Sequence, residues 1–200
     1  MHDAMRRGPS SLIGALLAGA LLVTGCGATT DVVPPRQSAA PASVVATPAT
    51  VRPPAIPRGA QRVEVAWVSD GDTVAVRALR RGVLAVGALE SVRLLEIDTP
   101  ESKDPDLPVE CFALRATQAT ERLLPRGSVA WVVADRELRD RYDRALLYVW
   151  NADGVFVNLR LVRRGYARAV LFRPNDRYID LMRSAEAAAR RAGKGLWSAC

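Results

Sequence analysis

Hydrophobic and polar positions alternate with period two from Arg62 to Val68, and again from Thr73 to Ala78 after an Asp70-Gly71 turn signal. Period two places alternate side chains on opposite faces of an extended chain, so both stretches predict strands. Ser91 to Ile97 predicts a third. Phe112, Ala116, Ala119 and Leu123 then recur at helical spacing until Pro125, which removes a backbone donor and stops the helix. Two further strands are expected near Ser128–Val133 and Ala145–Trp150, joined through a charged loop. Val157 to Arg164 predicts a short helix closed by Gly165. Asn175 or Asp176 is positioned to cap a longer helix with the face Tyr178, Leu181, Met182, Ala185 and Ala189, ended by Gly193.

Three strands, a helix, two strands and then helices predict an α+β domain over residues 61–200, a five-stranded barrel of the OB type with about three helices. With 200 residues, 49% of them hydrophobic and 24% charged, the chain is globular and has room for one such domain. The first 60 residues differ. Arg6 and Arg7 precede an apolar run from Leu12 to Val23, and Val23-Thr24-Gly25-Cys26 follows it. Twelve residues fall short of the roughly 20 that cross a bilayer, and the arrangement has the physics of an export signal over residues 1–25. Its ending is similar to a bacterial lipoprotein signal, in which Cys26 becomes the lipid-modified first residue. The export route, general or twin-arginine, stays open. Seven of the 13 prolines fall within residues 27–60, which predicts a disordered, semi-rigid linker over residues 26–60. The expected location is the cell envelope, at the outer face of the membrane through the anchor, or outside the cell after release.

Composition narrows the chemistry. The single histidine, His2, lies before the apolar run, so the remainder of the chain has no imidazole for activating a nucleophile or ligating zinc. Residues 61–110 hold six Lys/Arg against ten Asp/Glu, whereas residues 111–200 hold 17 against nine. The domain is thus polarised in charge, with a modest positive total for a partner that is a polyanion. Within the acidic half, Asp70-Gly71-Asp72-Thr73 joins the first two strands, and the segment from Arg93 to Glu101 runs out of the third. Each has an ordinary explanation as a turn or a strand end. Together they offer Asp72, Asp98 and Glu101 as oxygen donors for a hard cation such as Ca²⁺ and a candidate base, with Arg93 beside them. Asp140-Arg141-Tyr142-Asp143-Arg144 adds cationic donors at the entry to the fifth strand.

DGDT at 70–73, R-L-L-x-I-D-T-P-E at 93–101, R-Y-x-R at 141–144 and G-L-W-S at 195–198 occur in the order found in the staphylococcal nuclease (thermonuclease) family, which the chain resembles over nearly all of residues 61–200. That resemblance implies an OB-fold and a Ca²⁺-dependent phosphodiesterase acting on DNA and RNA. It implies that Asp72, Asp98 and the Thr99 carbonyl hold Ca²⁺, that Glu101 acts on the attacking water as general base or water-orienting ligand, and that Arg93 and Arg144 hold the phosphate. Arg141 and Tyr142 match nucleotide contacts. Where the family presents aromatic rings to a base, Val170 and Phe172 stand here, and Phe172 alone can stack. Asp143 replaces a glycine usual in the family, and the hairpin from Leu79 to Glu90 is extended and carries Arg80 and Arg81. Cys111 and Cys200, a pair in an exported chain, are expected to form a disulfide.

The leading expectation is therefore an envelope-tethered, monomeric nuclease. A non-catalytic nucleic-acid-binding module of the same family is the alternative, and a lipid-anchored Ca²⁺-binding structural protein a remoter one. Lysine at position 93 or 144 is expected to lose most turnover while folding normally.

Overall fold

The computed structural model describes residues 52–103, 106 and 108–200. The export signal, Cys26 and the linker as far as residue 51 lie outside the described residues. Five strands close into a barrel: β1 (Gln61–Asp70), β2 (Thr73–Ala78), β3 (Leu89–Leu94), β5 (Val129–Arg139) and β6 (Ala145–Asn151), in the order β1-β2-β3-β6-β5. All neighbours are antiparallel except β3 and β6, which run parallel from Val92↔Ala145 to Leu94↔Leu147. The helices are α1 (Ala113–Leu123), α2 (Val157–Arg163), α3 (Ile179–Arg191) and the single turn α4 (Leu196–Ala199). The α+β barrel read from the periodicity is the fold observed. No helix among the described residues is long and apolar enough to cross a membrane.

The alternating stretches bury one face. Val63, Val65, Val74, Val76, Val92 and Leu94 are solvent-free and fill the barrel with residues of β6. Trp150 and Phe156 stack at 4.4 Å below α3, and Met182 and Ala185 of α3 close over this core. Burying each large apolar side chain contributes about 1.5–3 kcal/mol, which is what holds the helices to the barrel.

Three details depart from the sequence reading. The third strand does not continue to Ile97: the chain turns at Leu95 and Glu96, where Glu96 adopts φ 61°, and restarts as β4 (Ile97–Asp98). β4 pairs with β7 (Arg168–Ala169) in a separate two-stranded sheet, Asp98 facing Arg168. Neither Asn175 nor Asp176 caps α3, whose N-cap is Tyr178 with no side-chain bond. Asn175 is instead wholly buried and accepts from the N–H groups of Arg136 and Glu137, both at 2.9 Å. Residues 52–60, expected as the end of a disordered linker, pack on the domain. The Pro54 carbonyl accepts from the Trp150 indole at 3.0 Å, and Ile56 rests on the core.

Candidate active site

The site is built where β1 hands over to β2. Asp70 and Asp72 flank Gly71, and α1 clamps this turn from behind. Thr117 Oγ1 donates to Asp70 Oδ1 at 3.0 Å, and the solvent-free Thr120 donates to the Gly71 carbonyl at 2.5 Å. Ser102 from the following loop also donates to Asp70 Oδ1, at 2.6 Å. Gly71 is required by close approach, because a Cβ there would lie 2.6 Å from Thr99 Oγ1. That approach lets Thr99 donate from both its backbone N–H and its hydroxyl to Asp72 Oδ2, at 2.9 and 3.1 Å. The turn and the loop after β4 are thereby stitched together.

Arg93 lies at the centre and is nearly buried. Its Nη1 donates to the carbonyls of Leu94 and Ile97 at 2.9 and 2.7 Å, which holds the turn between β3 and β4. Its Nη2 lies 3.1 Å from Asp72 Oδ2 and 2.7 Å from Asp98 Oδ1. Burial pushes the Asp98 carboxyl above its ordinary range; Arg93 pulls it down and the Asp72 carboxylate pushes it back up. Glu101 is held by its own loop: its Oε1 accepts from the Lys103 N–H at 2.5 Å, and its backbone pairs with Glu110 through bonds of 3.1 and 2.9 Å. Arg144 enters from the opposite wall with its Nε 2.8 Å from Asp140 Oδ2. Burial raises the Asp140 carboxyl, but hydrogen bonds from Arg144 and Tyr142 outweigh it and leave the group below its ordinary range.

Asp72, Asp98, Thr99, Glu101, Arg93 and Arg144 thus line one cleft of about 490 Å³. Arg141, Tyr142 and Phe172 line a neighbouring cleft of about 400 Å³, with Arg144 in the wall common to both. The Arg93 guanidinium lies 5.1 Å from the Phe172 ring, and those of Arg141 and Arg144 lie 4.7 and 5.4 Å from the Tyr142 ring. Asp143 takes φ 63°, the left-handed conformation that glycine adopts freely, and its carboxylate turns 3.5 Å from Arg139 Nε rather than to Arg144. Arg80 and Arg81 line a different cleft, beside the start of β1. Cys111 and Cys200 are joined as a disulfide.

Among the described residues no three His, Cys, Asp or Glu side chains stand together as a ready-made metal cluster. The donor chemistry nevertheless fits a hard cation. Asp72 and Asp98 each place a carboxylate oxygen on the same Arg93 nitrogen, a separation that ligand distances of about 2.3–2.6 Å can bridge with small side-chain movement. No nitrogen or sulfur ligand lines the cleft. The sequence reading missed Arg168, which β7 sets opposite Asp98, and also Glu110 and the α1 threonines that hold the loops. The Thr117/Thr120 spacing, two hydroxyls on one helix face, was the available signal for the threonines. The strand carrying Arg168 is too short to show a period.

Comparison with known proteins places the chain among its relatives. Residues 91–199 match the model of the family described as staphylococcal nuclease homologue. The chain is 36% identical to the thermonuclease of Staphylococcus intermedius over 130 residues, covering 65% of this chain and 72% of that protein. It is 34% identical to the thermonuclease of Staphylococcus hyicus over 138 residues, 69% of this chain and 76% of the relative. Endonuclease YncB of Bacillus subtilis is 34% identical over 130 residues, 64% of this chain and 58% of its own length. With a family model matching more than half of the chain and thermonuclease relatives 34–36% identical, the protein belongs to the staphylococcal nuclease family.

Proposed function

We propose that the protein is a Ca²⁺-dependent nuclease that hydrolyses phosphodiester bonds of DNA and RNA outside the cytoplasm, tethered through a lipidated Cys26. The observation that carries this reading is the convergence of two metal-type carboxylates, a third carboxylate and two arginines on one open cleft. Asp72, Asp98 and the Thr99 carbonyl would hold the ion, which when bound supplies Lewis-acid neutralisation of a phosphoryl oxygen. Glu101 faces the same space and orients the attacking water or takes its proton as the water oxygen bonds to phosphorus. The P–O ester bond breaks, and the leaving oxygen takes a proton from solvent, to which the cleft is open.

Charge that accumulates on the phosphoryl oxygens needs fixed donors. Arg93 offers the Nη2 edge that now rests on Asp72 and Asp98, and Arg144 offers the end of its guanidinium left free by Asp140. Planar paired donors suit phosphate better than an ammonium does. Tyr142 and Phe172 give the adjoining nucleotide an aromatic wall. Digestion of plasmid DNA with added Ca²⁺ tests the proposal. Cleavage should cease with chelator and with Glu101→Gln, whereas binding without cleavage would favour the non-catalytic module.

A further inference from the structure

A second cleft, of about 610 Å³, lies between residues 52–55 and α2. Among the described residues five cations line it (Arg52, Arg160, Arg163, Arg164 and Lys194) and no carboxylate does. The catalytic cleft, by contrast, mixes both signs. The cations crowd one another: burial and then the charge of Arg160 pull the Arg163 guanidinium below its ordinary range. Clustered cations on a concave wall create a positive potential that attracts a polyanion.

The walls are fixed. Pro54 is held through its carbonyl by the buried Trp150, and Phe156 and Leu159 form an apolar floor. On the other side Gly165 touches the chain at Lys194 so closely that a Cβ there would overlap the Lys194 carbonyl oxygen, and Leu196 N–H donates to the Gly165 carbonyl at 2.9 Å. A short stretch of chain joins its wall to that of the catalytic cleft. Arg164 and Arg168 are four residues apart, so at most about 14 Å of extended chain separates them, and Arg168 lines the catalytic cleft. Trp197 carries Arg168 and Arg190 at 5.9 and 4.1 Å from its ring.

We propose that this basic cleft is a second binding site for the nucleic-acid backbone, which grips a strand whose neighbouring stretch occupies the catalytic cleft. It rests on the nuclease reading for the identity of the polyanion. A concave groove with cations above an apolar floor suits a flexible single strand, which offers phosphates and sugar or base faces together. An anionic membrane, being flat, would meet only its rim.

The test is binding of a 30-nucleotide oligodeoxynucleotide to the full chain carrying Glu101→Gln, with and without Arg160→Gln/Arg164→Gln. Both arginines are exposed, so the double variant should fold. We expect affinity to fall about tenfold near 0.1 M salt, and the slope of log K against log salt to flatten by about 1.4, two single-strand contacts' worth. With Glu101 intact, the same double variant should cleave a dinucleotide, too short to span both clefts, at the parental rate. Unchanged affinity and slope, or no binding of the 30-mer by the parent, overturns the inference. So does a loss confined to phosphatidylglycerol vesicles, which would assign the cleft to lipid headgroups. Binding that falls as expected in a protein that cleaves neither substrate would uphold the cleft and overturn the nuclease reading instead.

Discussion

Arg93 combines two tasks that lysine cannot share. One guanidinium nitrogen ties the Leu94 and Ile97 carbonyls and the other spans Asp72 and Asp98. Arg93→Lys should therefore lose about 10²–10³ in cleavage rate and also about 1–3 kcal/mol of stability from the orphaned carbonyls. Arg144, partly exposed, ties only the Asp140 carboxylate across its own turn, an ion pair that a lysine ammonium can keep, so Arg144→Lys should lose rate with its denaturation midpoint nearly unchanged. Urea titrations beside turnover measurements check this split, and normal stability in Arg93→Lys would remove the structural task. The expectation of normal folding is therefore kept for Arg144→Lys and revised to a stability loss for Arg93→Lys. Glu96 is the second telling residue. It is solvent-free, accepts from the Tyr148 hydroxyl at 2.6 Å and the Tyr178 N–H at 3.0 Å, and leaves Oε2 unpartnered. Burial raises its carboxyl above the ordinary value despite those two bonds. The unfolded chain consequently ionises first as pH rises from about 4.3, and the folded state loses relative stability until Glu96 itself ionises. Glu96→Gln keeps the Oε1 acceptor and removes the charge. Its melting temperature in chelator should exceed that of the parent at pH 7, with a gain that shrinks towards pH 4; an equal or lower value at pH 7 would show the carboxylate to be adequately compensated.

At the scale of elements, the loops of the candidate site are held by α1 and by the chain terminus. Glu110, whose backbone and side chain pair with Glu101, stands next to Cys111, and the disulfide to Cys200 closes a separation of 89 residues. On the chain-entropy model a loop of this size contributes about 4–5 kcal/mol. Cys111→Ser/Cys200→Ser should lower the urea midpoint accordingly and, under conditions where it remains folded, slow cleavage by loosening the Glu101 arm. A variant destabilised but fully active would show that Glu101 does not depend on the bridge. The barrel strands and α1 were legible because their periodicity is local: Val63, Val65, Val74 and Val76 alternate, and Ala116 and Ala119 share a helix face. The break at Glu96 was not legible. Leu94, Leu95 and Ile97 read as one apolar strand, and what stabilises the reversal comes from Tyr148 and Tyr178, 52 and 82 residues further along. Asn175 misled for the same reason, since its amide serves β5 rather than the helix that follows it. The site residues were readable as motifs because they sit at the ends of adjacent strands. Arg168 was not, because its place opposite Asp98 exists only through pairing of two-residue strands.

At the scale of the whole molecule, the proline-rich segment and the domain overlap rather than abut. Composition places the boundary after residue 60, and β1 does begin at Gln61. Yet Trp150, solvent-free at the end of β6 and stacked on Phe156, finds the acceptor for its indole N–H in Pro54, and Ile56 lies on the same core. Proline suits this task. It cannot donate to a sheet, so the segment lies across the barrel without extending its edge, and its fixed φ lowers the entropy lost on docking. Comparing a chain that begins at Arg52 with one that begins at Gln61 isolates the effect. The shorter chain should lose about 1–3 kcal/mol, from the half-buried Ile56 and the uncovered edge of Trp150. Its tryptophan emission should shift to the red as water reaches the indole. It should also bind the 30-nucleotide strand more weakly than its stability loss alone requires, since Arg52 leaves with the segment. Equal midpoints and equal emission would make residues 52–60 a passive tether. A lower midpoint with undiminished strand affinity would keep the packing and remove Arg52 from the basic cleft.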